Sequence, residues 1–242
     1  LKNLRRIKKD ISTFNPDILI LVDYPGFNFK IAKYASKRNI PVHYYISPKV
    51  WAWKEGRVKL IRKYVRELYC ILPFETDYFA KKGIKATYVG NPSKETVDAF
   101  LTTNTLTNGT NKIALLPGSR KQEISTSLPI MLEAMKQFPK YEAIVAQAPG
   151  FDEAYYHAFD PTLKLIPNNM YVLLAQCDAA IVTSGTATLE TALMNVPQVV
   201  CYKTTKVSYA IAKFVIKLNY ISLVNLILEA PCVKELIQDD FE

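Results

Sequence analysis

Short apolar, β-branched runs alternate along the whole chain with longer stretches in which apolar positions recur every three or four residues. The first pattern is that of strands buried on both faces, and the second that of amphipathic helices. In the first part the pattern predicts strands at 17–22, 42–46, 68–72 and 86–89, with helices at 29–37, 57–64 and 75–82. The stretch 93–111 includes the polar run Thr102-Thr103-Asn104-Thr105-Leu106-Thr107-Asn108-Gly109-Thr110, has no apolar period, and reads as a linker. Alternation then resumes, with strands expected at 112–116, 142–146, 163–166, 179–183 and 198–201 and helices at 123–137, 169–176, 187–194 and 207–218. The expected architecture is α/β, with two doubly wound parallel-sheet domains at 1–92 and 112–242 joined by the linker.

Composition narrows the class. The 242 residues are 49% hydrophobic and 22% charged, as in a globular protein with real cores. No window of about 18 apolar residues is present for a membrane-crossing helix. Cys70, Cys177, Cys201 and Cys232 lie far apart in apolar runs, without metal-ligand spacing, and read as buried thiols of a reducing compartment. With only His43 and His157, no His-rich metal site is expected. The chain opens at Leu1, without Met or a signal pattern, in a charged helix-like segment, which reads as a fragment beginning inside a domain.

Charge is uneven. Residues 1–92 hold 19 Lys and Arg against 7 Asp and Glu, and the remainder 12 against 15, so the first part carries the basic character behind the net charge of +9. Solvated lysines account for much of it. The pairing of charge with aromatics in Ser47-Pro48-Lys49-Val50-Trp51-Ala52-Trp53-Lys54 adds the expectation of an interface with an anionic membrane or a phosphorylated ligand.

Two strand-to-helix junctions are suited to anions. In Leu116-Pro117-Gly118-Ser119-Arg120-Lys121-Gln122-Glu123, Gly118 permits close backbone approach, the helix start offers N–H groups, and Arg120 adds a fixed charge. A plain turn capped by Ser119 is the alternative. In Thr183-Ser184-Gly185-Thr186-Ala187-Thr188-Leu189-Glu190, Ser184, Gly185 and Thr186 present donors to phosphate oxygens at a helix start, while Glu190, one turn below Thr186, suits the two hydroxyls of a ribose. Simple capping by Ser184 or Thr186 is the competing reading. Two such junctions in one domain favour a nucleoside diphosphate, and neither is a mononucleotide P-loop or a dinucleotide fingerprint.

Asp23 follows an apolar strand in Val22-Asp23-Tyr24-Pro25-Gly26, where a carboxylate serves either as a general base or in an Asx-turn. The segment 207–218 places Val207, Ala210, Ile211, Phe214, Val215 and Leu218 on one helical face. It suits packing on its own sheet, with an anionic bilayer as the alternative.

Together these motifs, with Leu72-Pro73-Phe74-Glu75, Val89-Gly90-Asn91-Pro92 and residues 220–225, resemble the lipid-A-disaccharide synthase family in order through nearly the whole chain. The resemblance implies a GT-B glycosyltransferase of two Rossmann-like domains, the first incomplete here because the family's glycine-rich opening segment is absent, as are its C-terminal helices. The implied reaction moves 2,3-diacylglucosamine from UDP-2,3-diacylglucosamine to the 6-hydroxyl of 2,3-diacylglucosamine 1-phosphate, with inversion and with neither metal nor cofactor. It takes place at the cytoplasmic face of the inner membrane, on an anionic surface. By position the resemblance gives catalytic roles to Asp23, as base, and Arg120, and substrate binding to Gly118, Ser119, Glu123, Ser184, Gly185, Thr186, Glu190 and Asn225. Trp51, Trp53 and Arg57 are expected to face membrane or acceptor. A homodimer is left open, and the fragment alone is expected to be inactive.

Two rivals stand beside this reading. Another UDP-sugar enzyme of the same fold, such as a peptidoglycan N-acetylglucosaminyltransferase or a UDP-sugar 2-epimerase, needs the same phosphate junctions but not the Trp-rich basic surface. A nucleic-acid-binding module rests on charge alone and lacks an interleaved aromatic and basic strand pattern, so no nucleic-acid partner is expected.

Overall fold

A computed structural model describes residues 2–107, 109–215 and 218–241, with backbone only for 211–215. The chain divides into two compact units, with the break between Pro92 and Ser93.

The first unit opens with α1 (Lys2–Phe14), then alternates β1 (Leu19–Val22), α2 (Pro25–Ser36), β2 (Val42–Tyr45), α3 (Val58–Tyr64), β3 (Glu67–Cys70), α4 (Glu75–Lys81) and β4 (Thr87–Tyr88). The strands form a parallel sheet in the order β1-β2-β3-β4. Its core joins Ile31, Ala32 and Ala35 of α2 to Val42, Tyr44 and Leu68 of the strands and Phe79 of α4, all nearly inaccessible to solvent.

In the second unit a helix, α5 (Pro92–Thr103), leads into β5 (Lys112–Leu116), α6 (Lys121–Met135), β6 (Glu142–Gln147), α7 (Glu153–His157), β7 (Lys164–Pro167), α8 (Met170–Leu174), β8 (Ala179–Thr183), α9 (Thr186–Leu193), β9 (Gln198–Tyr202), α10 (Lys206–Val215), α11 (Leu223–Leu228) and β10 (Lys234–Ile237). All its strands are parallel, in the order β10-β9-β8-β5-β6-β7. Both sheets are parallel, as the alternation of runs predicts; the first runs in chain order, and the second reverses its strand order at β5, as doubly wound sheets do.

Some expectations need correction. Most of the stretch 93–111 is not a linker: α5 occupies it, and Val97 is fully buried with Ala114, Leu116, Leu173 and Val182 in the core of the second sheet. Pro92 at the helix start and Val97, Phe100 and Leu101 at helical spacing carried that signal, which the threonines after them obscured. The chain returns to β5 under the Asp178 carboxylate, which accepts the backbone N–H groups of Gly109, Thr110 and Asn111 at 2.7–3.1 Å. Strand β10 and helices α7 and α11 were unforeseen, each too short for a period to emerge. Cys70, Cys177 and Cys201 are buried, and burial pushes each thiol up to about 12. Cys232 is exposed, because it lies in the turn between α11 and β10.

Candidate functional site

In the second sheet the chain leaves β5 for β6 and β7 on one side, then returns to β8 on the other. This reversal opens a crevice at the carboxyl ends of the strands, the place where doubly wound sheets bind ligands. A cavity of about 540 Å³ lies there. It gathers Gly118, Ser119, Arg120 and Glu123 from the β5–α6 junction with Ser184, Gly185, Thr186 and Glu190 from the β8–α9 junction.

The first junction is closed on itself. Gly118 has φ +111°, and a Cβ there would stand 2.6 Å from Glu123 Cβ, so only glycine fits without displacement. Glu123 Oε2 accepts the N–H groups of Ser119 and Arg120 at 3.0 and 3.2 Å, and Oε1 pairs with the Arg120 guanidinium. This corrects the expectation for Glu123: its carboxylate serves the loop, because an acid in the first helical turn reaches back to the amides before it. The Arg120 side chain is 80% exposed, and an exposed pair of this kind contributes only about 0–1 kcal/mol, so the guanidinium is readily redirected to a ligand.

The second junction is more open. Ser184 is anchored by its N–H to Cys201 O (2.8 Å) and by its hydroxyl to Ile221 O (3.0 Å), so its hydroxyl braces the loop instead of offering a donor as expected. Thr188 supplies the helix-end bonds, its N–H and hydroxyl both donating to Gly185 O. The first amides of α9 have no intrahelical acceptor and carry the positive end of the helix dipole. Gly185 and Thr186 are exposed to the cavity there. One turn below, Glu190 Oε1 accepts the Tyr171 hydroxyl at 2.9 Å and the Ser93 hydroxyl at 3.2 Å. Burial, and then this carboxylate, raise the Tyr171 pKa, which keeps the phenol a donor.

Asn225 does not line the cavity. It is buried in α11, where Oδ1 accepts Val233 N–H and Nδ2 donates to Val233 O and Glu235 Oε1, each at 2.9 Å. Glu235 in turn accepts the N–H groups of Ile221 and Ser222. Because Ile221 O accepts the Ser184 hydroxyl, a chain of bonds links Asn225 to the rim of the cavity.

In the first unit Asp23 directly follows β1 with φ +42°, and Tyr24 comes next at +44°. Successive left-handed non-glycine residues cost of order 1–3 kcal/mol each and gather at functional sites. The Asx-turn alternative is not what holds this turn. Asn28 Nδ2 donates to Val22 O and Asp23 O, and the buried Tyr44 hydroxyl donates to Asp23 O at 2.5 Å. Asp23 itself is exposed, and its carboxylate makes no hydrogen bond among the described residues.

The two tryptophans part company. Trp51 is half-buried, packs edge-on against Phe74 at 4.9 Å and donates Nε1–H to Glu75 at 2.9 Å, so it is a structural residue and not the interface residue expected. The reason is Glu75: fully buried, it needs donors, and it collects Trp51, the Ser47 hydroxyl (2.7 Å) and the N–H groups of Ile71 and Leu72. Trp53 is exposed, with Lys54 Nζ 4.2 Å and Arg57 Cζ 5.5 Å from its ring centroid. On α10 the apolar Val207 and Ala210 are exposed rather than packed on the sheet, and the side chains of Ile211, Phe214 and Val215 lie outside the described residues.

The sequence reading missed Tyr171, Gln147 and Thr183, all of which line the cavity. Only their positions marked them, Gln147 and Thr183 as the last residues of β6 and β8 and Tyr171 in the first turn of α8.

The family model described as lipid-A-disaccharide synthetase matches residues 1–242. Among curated proteins the chain is 38% identical over 250 residues to a lipid-A-disaccharide synthase of Syntrophus aciditrophicus, covering 97% of this chain and 65% of that protein. It is 37% identical to one of Myxococcus xanthus, covering 99% and 66%. The chain thus spans about two thirds of the length of these relatives. Among solved structures it is similar in fold to a Neisseria meningitidis UDP-GlcNAc 2-epimerase bound to UDP-GlcNAc, with TM-score 0.61, 16% identity and coverage of 93% of this chain and 70% of that one. An Acinetobacter baumannii MurG aligns with TM-score 0.54 and 13% identity, covering 98% and 64%.

Proposed function

The chain belongs to the lipid-A-disaccharide synthetase family, and we propose that it takes part in that family's sugar transfer, passing 2,3-diacylglucosamine from its UDP donor to the 6-hydroxyl of 2,3-diacylglucosamine 1-phosphate. The observation that carries this reading is the convergence of Arg120 and the amide start of α9, with Glu190 one turn below, on one cavity at the sheet's switch point. A diphosphate at those amides puts the ribose within reach of Glu190, whose Oε2 is unengaged among the described residues. In the transfer, the anomeric C–O bond to the diphosphate breaks, and the charge growing on departing UDP is met by the α9 amides and by Arg120 as it leaves Glu123. The acceptor oxygen forms the new bond and gives its proton to Asp23. The basic first unit and the Trp53, Lys54 and Arg57 cluster suit attachment to an anionic membrane that holds both lipid substrates. No helix among the described residues is long and apolar enough to cross a membrane.

Calorimetry with UDP in the absence of divalent ions tests the reading. Saturable binding is expected, with Arg120→Ala weakening it about tenfold through loss of a charge-assisted bond. No heat at millimolar UDP, or an unchanged affinity in the variant, overturns it. The 2-epimerase alternative predicts interconversion of UDP-GlcNAc without a lipid acceptor, which product analysis detects.

A further inference from the structure

Three buried side-chain polar atoms among the described residues lack a hydrogen-bond partner: Gln147 Oε1, Thr183 Oγ1 and Gln198 Oε1. Gln147 and Thr183 both line the cavity, whereas Gln198 begins β9 at the other end of the sheet. Thr183 is only 7% exposed. Buried orphans are rare because each forgoes its bonds to water, and two at the base of one cavity point to a ligand that completes them.

Their placement says which ligand. The parallel register pairs Leu115 with Val145 on one side and with Ile181 on the other, so Gln147 and Thr183, two residues further along, stand at one level on the same face. The end of β5 lies between them, making two strand spacings, or about 10 Å. That separation suits a nucleoside 5′-phosphate lying across the sheet edge and exceeds what a bare diphosphate spans. At one end, Gln147 Nε2 donates to Phe151 O at 2.7 Å, which fixes the amide and leaves Oε1, a pure acceptor, for the ligand. At the other, Thr183 precedes Ser184 and the amides of α9, where the phosphates sit in the reading above.

We propose that Gln147 Oε1 accepts the ring N–H of a uracil base and that Thr183 Oγ1 bonds the ribose-phosphate end of the same nucleotide, which makes Gln147 the base-selecting residue. Uracil offers a ring N–H donor between two carbonyls. Cytosine presents a bare ring nitrogen at that position, so acceptor would face acceptor, and sites that hydrogen-bond a ligand group discriminate strongly against analogues lacking it. This assignment rests on the nucleotide reading of the cavity.

The test titrates the 242-residue chain and its Gln147→Met and Thr183→Val variants with UDP, CDP and inorganic pyrophosphate, beside ligand-free thermal melts. The unsubstituted chain should prefer UDP over CDP by about tenfold or more. Gln147→Met should lose most of that preference and leave pyrophosphate affinity unchanged. Thr183→Val deletes a hydroxyl that has no partner among the described residues, so it should keep or raise the melting temperature while weakening UDP binding about fivefold. Equal UDP and CDP affinities, a preference that survives Gln147→Met, or a Thr183→Val variant that melts early yet binds UDP normally each overturns the assignment while the nucleotide reading stands. Failure of all three ligands to bind the unsubstituted chain overturns both.

Discussion

The Tyr171 hydroxyl donates to Glu190 Oε1 at 2.9 Å, tying the start of α8 to the carboxylate one turn into α9. Without it Glu190 keeps Ser93 but loses its second orienting bond. Tyr171→Phe should weaken UDP binding severalfold while leaving pyrophosphate affinity unchanged, as two titrations would read. The same bond sets a pH dependence. With the folded-state pKa raised by burial and Glu190, folding favours the protonated phenol. That contribution is complete below the unfolded value of about 10 and falls away as pH rises toward the folded value. Melts from pH 7 to 11 should show Tyr171→Phe gaining on the unsubstituted chain only above about pH 10; a constant gap across that range would count against the coupling.

Asp23 separates chemistry from binding. In a protein of the relatives' full length carrying this sequence, Asp23→Asn keeps the shape of the turn, since Asn28 and Tyr44 hold it by the backbone, and Asn tolerates positive φ. Turnover should fall by about 10²–10⁴ with melting temperature and UDP affinity little changed. Near-normal turnover in the folded variant would remove Asp23 as the base.

Glu75 is a structural acid, and its variants should behave as such. Glu75→Leu orphans two backbone N–H groups, the Ser47 hydroxyl and the Trp51 indole at once. A loss of about 3 kcal/mol or more is expected by denaturant titration, since each buried donor left unsatisfied costs about 1–3 kcal/mol. Trp51→Phe, which removes one of these donors and keeps a ring against Phe74, should cost less. A neutral Glu75→Leu would show that the loop holds without its carboxylate.

Trp53 and Lys54 should act at the membrane and not on folding. Co-sedimentation with vesicles containing anionic lipid should exceed that with neutral vesicles and weaken with salt. Trp53→Ala with Lys54→Ala should reduce it several-fold, at about 1 kcal/mol per basic residue near the surface, with melting temperature unchanged. Equal partitioning onto both kinds of vesicle would remove the electrostatic part of the attachment.

Much of this protein is determined by local order in the chain. The alternation of apolar runs and helical periods set the parallel sheets, and the strands expected at 112–116 and 179–183 coincide with β5 and β8. The two anion-suited junctions were legible because glycine, hydroxyls and a charge at a strand-to-helix boundary have a local physical meaning. What only the tertiary structure decided is how each polar atom is used. Whether Glu123 meets a ligand or its own loop, whether Trp51 faces solvent or Glu75, and whether Asn225 touches the cavity or braces Glu235 all depend on partners brought from 3 to 24 positions away. Gln147 and Thr183 went unseen for the same reason. A glutamine and a threonine at strand ends are ordinary in sequence, and only the register across β5, which sets them level on one face, each with a buried oxygen unpartnered among the described residues, marks them out.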